Sequence, residues 1–275
     1  MATEQGVRQR LAAVQMASGP LVSGNQQEIQ RLVEQAAEAG AGLVVLPENC
    51  LLMGNHERDK LALREDDGGG PLQDFLSRLA AATGVWLVAG TLPMRGGQED
   101  KARQTSLVFD DRGGRVARYD KIHLFDVTVE GEKAYRESDA HEPGEAVVTV
   151  ATPFGRVGLS ICYDLRFPEL YRELVARGAE ILVVPAAFTA RTGEAHWNVL
   201  VRARAIENLC YVVASGQGGY HINGRETHGE TMIVDPWGRV LDRLCRGSGV
   251  VIAEIDLAEM HRLRQSFPVL EHRRL

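Results

Sequence analysis

The sequence predicts an α/β fold in which helices cover buried sheets, and three observations point there. Short runs rich in Val, Ile and Leu recur along the chain, several of them apolar at consecutive positions instead of alternating. Strands buried on both faces read this way. Segments with apolar residues at three- and four-residue steps separate those runs, as helices between strands would. A strand, helix, strand succession occurs twice, at 11–48 and again at 156–188. Two such units with right-handed connections would stack sheet on sheet with helices outside.

The expected strands, in order, are LAAVQM (11–16), LVVLPE (43–48), VWLVAG (85–90), TSLVFD (105–110), RVGLSICYD (156–164), ILVVPAAF (181–188), CYVVASG (210–216), ETMIVDPWG (230–238) and VVIAEID (250–256). The first expected helix follows Ser23 and Asn25, either of which can cap it. Its Ile29, Leu32, Val33, Ala36 and Ala37 share a face until Gly40. A second runs from Pro71 through Phe75, Leu76 and Leu79 to Gly84. A third starts at Pro168, which suits a first helical turn, and ends at Gly178. A fourth covers Glu194 to Leu209, and a short one follows Asp256. No Pro/Ser-rich linker or composition shift divides the 275 residues, so the expectation is one domain over 1–275 with its core at about 10–256.

Composition excludes several classes. With 31 Lys+Arg against 37 Asp+Glu the net charge is −6, which leaves no basic field for phosphate backbones, and no nucleic-acid partner is expected. Cys50, Cys162, Cys210 and Cys245 are far apart and in no CxxC or CxxH spacing. A disulfide framework or zinc site is therefore not expected. No apolar run approaches the 18 or so residues of a membrane span, and the N-terminus has no apolar leader core. The expectation is a cytoplasmic protein with no membrane partner.

Three segments carry chemistry. Cys162 ends an apolar strand just before Pro168, and a side chain at a strand-to-helix turn projects into a cleft as a hydrolase nucleophile does. A buried inert thiol is the bland alternative. Polar Tyr163, Asp164 and Arg166 beside it favour the first reading. A thiol needs a base or a nearby cation to react at neutral pH. Glu48, closing a buried-type strand, and Lys121, in RYDKIHLFD, supply one of each. Taken singly they read as a loop carboxylate and a solvated lysine.

As a set, LPENC around Glu48, YDKIHLFD around Lys121 and SICYDLRFPEL around Cys162 resemble the three signature segments of the nitrilase superfamily of carbon–nitrogen hydrolases. The resemblance extends from residue 10 to 273. It implies a four-layer αββα sandwich of two mixed sheets flanked by helices. It also implies Glu48 as general base, Cys162 as nucleophile, and Lys121 with the Tyr163 backbone N–H as oxyanion donors, with a thioester intermediate and no cofactor or metal. A second glutamate of the family falls at Glu137, with Glu130 and Glu132 as competitors. CYDLRFPEL, PAAFTARTGEAHW, RARAIENLCYVVA, THGETMIVDPWG and FPVLEHRR look more specifically like the branch that hydrolyses deaminated glutathione. Pro168, where ω-amidases typically carry alanine, and Gln217 within GQGG agree.

That branch implies a small amide substrate with carboxylates. Arg166 would pair with one of them; a salt bridge to Glu169 or Asp164 is its structural alternative. Phe188, His196 and Trp197 are expected to line or buttress the pocket. GQGGYHINGRETHG (216–229) reads as a mobile loop near the site, since it lacks a phosphate-loop pattern. The resemblance further implies a homodimer or higher homo-oligomer, pairing through helices 168–177 and 194–209, with the tail 257–275, chiefly 265–275, reaching the partner. The competing readings are a thiol hydrolase with His123 or His196 as base, an ω-amidase, an N-carbamoyl hydrolase, and an inactive binding protein on the same fold.

Overall fold

A strand that is apolar at every position needs a layer on each face. The strand Gln9–Gln15 has both. Leu11 and Ala13 pack toward a second sheet, whereas Ala12 and Val14 pack under helices. The computed structural model describes residues 9–128 and 134–274. Its five α-helices are α1 (Val22–Glu38), α2 (Pro71–Thr83), α3 (Pro168–Ala176), α4 (Ala190–Asn208) and α5 (Leu257–Ser266).

Each large sheet is built around three parallel strands joined through two helices. In the seven-stranded sheet Gln9–Gln15, Leu43–Val45 and Trp86–Val88 run parallel, connected by α1 and α2 and flanked by antiparallel Gly249–Ile255 and Ala102–Phe109. The six-stranded sheet repeats the plan with Gly155–Leu159, Ile181–Ala186 and Tyr211–Gly216, connected by α3 and α4, between antiparallel Thr149–Thr152 and Thr231–Val234. The twofold succession expected from the sequence is thus one unit longer in each half. Ile29, Leu32 and Leu76 of α1 and α2 cover one sheet, and Tyr171, Leu174 and Val201 of α3 and α4 pack on the other. The order of layers is α, β, β, α.

The differences from expectation are local. The strand expected over 156–164 stops at Leu159, because Cys162–Arg166 closes into a 3-10 turn. The one expected over 230–238 stops at Val234, where Asp235 accepts from the backbone of Trp237 and Arg239 and turns the chain. Helix α4 starts at Ala190, capped by Thr189 Oγ1. Neither Ser23 nor Asn25 caps α1, which begins at Val22. Asn25 instead ties that helix to Gly19 and to the Leu51 carbonyl. Leu92–Arg95, Arg115–Asp120 and Val240–Leu244 are strands that apolar runs did not announce, two of them rich in charge as edge strands are. Among the described residues no helix is long and apolar enough to cross a membrane.

Candidate active site

Ligands in open α/β sheets bind beyond the carboxyl ends of the parallel strands. Both Glu48 and Cys162 lie there. Glu48 follows Leu43–Val45 on a turn that the fold pins from several sides. Asn49, at φ +59°, donates its N–H to Thr91 Oγ1 at 2.8 Å and accepts from Gln104 at 3.0 Å, and Gln217 Nε2 donates to the Glu48 carbonyl at 3.0 Å. Gly90 passes so close, at φ +57°, that a Cβ there would stand 2.1 Å from the Pro47 carbonyl oxygen. A glycine is required.

Lys121 comes from the end of the strand Arg115–Asp120 and is held by backbone bonds to Gln104 and Gly144. Its Nζ donates to Glu48 Oε1 at 2.8 Å and to both Glu137 oxygens at 2.9 and 3.0 Å. Glu137 opens the short 3-10 turn Glu137–Asp139, and one of its oxygens also accepts from the Phe125 N–H at 2.6 Å. Cys162 opens its own 3-10 turn with φ +48°, a left-handed backbone in which a non-glycine residue is strained. Its thiol lines the same cleft as the Glu48 carboxylate, whose charge acts on it. The structure therefore brings Glu48, Lys121, Glu137 and Cys162 together, all under 10% exposed. Glu130 and Glu132 lie outside the described residues.

The charges in this cluster follow from burial and contact. Burial alone would raise the Glu48 carboxyl, but the Lys121 ammonium and its hydrogen bond hold it below the usual carboxylate range. Burial works against the Lys121 charge, and Glu137 and Glu48 override it, so the ammonium is held well above its usual range. Glu137 is pushed up by burial, only partly offset by Lys121, and by the charge of Glu48. Burial and the Glu48 charge push the Cys162 thiol far up as well. The resting arrangement is a neutral thiol beside a carboxylate that is itself hydrogen-bonded to a fixed ammonium.

The Cys162 turn is braced by Asp164, which is fully buried. Its oxygens accept from the Tyr119 hydroxyl at 2.6 Å, the Ile161 N–H at 2.9 Å and the His123 N–H at 3.1 Å, and one lies 2.7 Å from His123 Nδ1. His123 stacks on Phe167 at 3.6 Å. This histidine joins the lysine segment to the cysteine turn. It is not among the residues that line the cleft described next.

Over the cluster opens a cleft. Tyr163, Arg166 and Phe188 line it, as expected. The Arg166 guanidinium lies 5.2 Å from the Phe188 ring centre, and Asp164 is already occupied as described above. His196 and Trp197 do not line the cleft and stand against residues that do. His196 is exposed and meets Arg166 from outside at 3.1 Å. Trp197 is buried, stacks edge-on to Phe188 at 5.0 Å and donates its indole N–H to the Glu230 carbonyl. The stretch 216–229 is a hairpin, Gly218–Tyr220 paired with Glu226–His228, fastened by His221 to Ser18 and by Asn223 to Gly54. Three lining residues, Glu57, Lys60 and Arg225, carry no motif in the sequence. The Asn223-Gly224 pair, a hairpin-turn signal, could have located Arg225.

A two-sheet α/β sandwich with a buried thiol, carboxylate and ammonium at its strand ends defines a class of hydrolytic enzyme. The carbon–nitrogen hydrolase family matches residues 10–265, and the chain belongs to that family. It is an amidase, hydrolysing carbon–nitrogen bonds other than peptide bonds. It is 45% identical over 265 residues to a deaminated glutathione amidase of Synechocystis sp., covering 95% of this chain and 97% of that one. It is 42% identical over 266 residues to the protein of that name in Yersinia enterocolitica, covering 96% and 92%. The crystal structure of the C. elegans NitFhit protein superposes with a TM-score of 0.91 at 39% identity, over all of this chain and 66% of that longer one.

Proposed function

We propose that this amidase cleaves deaminated glutathione, a glutathione whose γ-glutamyl amine is replaced by a ketone, to 2-oxoglutarate and cysteinylglycine. What carries the reading is near-full-length identity of 42–45% to relatives named for that activity. The cationic side chains Arg166, Lys60 and Arg225 in the cleft lining support it, because this substrate is anionic. In the proposed mechanism Glu48 takes the Cys162 proton as sulfur attacks the amide carbon. The ammonium of Lys121 and the Tyr163 backbone N–H receive the oxyanion. The carbon–nitrogen bond then breaks, the proton on Glu48 passes to the departing amine, and a thioester remains. Glu48 next deprotonates a water that attacks the thioester, and the sulfur leaves as the thiol, taking that proton back. Glu137 holds Lys121 in place. No cofactor enters this scheme.

We further read the chain as a single domain and as one half of a homodimer. The family match over 10–265 supports the first. Exposed Val199 and Ile206 on α4, with exposed Trp237 against Phe267, support the second. The deciding experiment assays purified protein on deaminated glutathione, 2-oxoglutaramate and a carbamoyl amino acid, following release of amine or ammonia. Deaminated glutathione should give the highest kcat/KM, and Cys162→Ala should abolish turnover. Preference for either other amide would replace this reading with ω-amidase or carbamoyl hydrolase activity.

A further inference from the structure

Two cations in the cleft take no part in the chemistry at Cys162. Lys60 is 4% exposed on the 3-10 segment Glu57–Leu63, and one acceptor among the described residues, Glu57 Oε2 at 2.6 Å, meets its ammonium. An ammonium that is buried with a single partner retains unmet hydrogen-bonding capacity. Arg225 reaches the same cleft from the hairpin. Its Nη2 donates to the Ala187 carbonyl at 2.6 Å, its guanidinium lies 5.5 Å from the Tyr135 ring centre, and its Nε is buried without a partner. Both cations act on one point of the cleft. The Lys60 ammonium, opposed by burial and reinforced by Arg225, holds the Glu57 carboxyl down at about 2. Apart from Glu48, Lys121 and Glu137, the described lining residues carry four cations, Lys60, Arg136, Arg166 and Arg225, against the single carboxylate of Glu57.

We propose that Lys60 and Arg225 form an anion-receiving wall that takes the carboxylate on the acyl half of the substrate, in competition with the resident carboxylate of Glu57. The inference rests on the amidase reading above and deepens it. Deaminated glutathione carries one carboxylate on each side of its scissile amide, so a matched cleft needs a second cationic place besides Arg166. Lys60 lines the cleft together with Glu48 and Glu137, and its charge acts on both carboxylates, which favours the short acyl half over the leaving dipeptide.

Binding of two probes to the Cys162→Ala protein by calorimetry tests this. One probe is glutaramate, an amide with a carboxylate at acyl-half distance. The other is 5-methylhexanamide, its uncharged counterpart in shape. Lys60→Met and Arg225→Met should each weaken glutaramate binding by about tenfold or more, as loss of a charged hydrogen bond implies. Both should leave 5-methylhexanamide within about twofold on the same grounds. Glu57→Gln should tighten glutaramate alone. Equal losses for both probes, unchanged glutaramate affinity, or no glutaramate binding by the parent would overturn the proposal. Should Lys60→Met fail to fold, Arg225→Met and Glu57→Gln decide it. Turnover of deaminated glutathione by the intact enzyme is scored separately. Turnover without probe discrimination removes the wall and keeps the function. Probe discrimination without turnover does the reverse.

Discussion

Glu48, Lys121 and Cys162 meet where almost no water reaches, so each charge is set by the other two. Because the thiol is held far above neutrality and Glu48 below the usual carboxylate range, the proposed mechanism has the proton move as the carbon–sulfur bond forms and not before it. Replacing Glu48 with Gln should therefore lower kcat by about 10²–10⁴-fold, while Lys121 keeps Glu137 as its partner and the fold survives. Steady-state kinetics beside a urea titration would show it. Retained activity would transfer the base role to a histidine, for which His123, outside the residues that line the cleft, is poorly placed. These residues were legible because motifs with fixed neighbours carry them. Lys60 and Arg225, 165 positions apart in the chain, share no motif and meet only through folding.

At the scale of elements, short turns do the positioning. The Cys162–Arg166 turn and the Glu137–Asp139 turn each interrupt what local propensity would continue. The run RVGLSICYD reads as one strand to residue 164, but Asp164 draws in the Ile161 N–H and bends the chain after Leu159. Beneath the second turn His141 is fully buried, forms no ion pair among the described residues, and lies 3.3 Å by Nδ1 from the Glu137 carbonyl. Burial pushes it from 6.5 down to about 3. The unfolded chain thus binds a proton at this site between those values and the folded chain does not. Stability is full above pH 6.5 and is lost as pH falls through that window. In urea titrations from pH 7 to 4, the parent should weaken more steeply than His141→Gln. Parallel slopes would remove His141 as the cause.

Across the whole molecule, the αββα layering leaves the outer faces of the helices to solvent or to a partner. Val199 is 67% exposed, Ile206 46%, Trp237 55% and Phe267 50%, more large apolar surface than charged helices ordinarily leave bare. A second copy covering this face would continue the layers. Deleting residues 265–275, which removes Phe267 from its contact with Trp237, should lower the sedimentation mass toward that of a monomer. An intact dimer after the deletion would exclude the tail from the interface.

By itself the sequence determined the α/β class, the repeated strand, helix, strand units, and three of the four clustered residues through their motifs, with Glu137 reached by counting from Lys121. Apolar periodicity and motif spacing are local properties of the chain, and they survive without coordinates. Only the tertiary structure decided which cations share the cleft, that His196 and Trp197 stand behind its lining, and that Asp164 braces the Cys162 turn. Those outcomes depend on contacts between segments far apart in the chain, whose distances and desolvation exist only once the two sheets have packed.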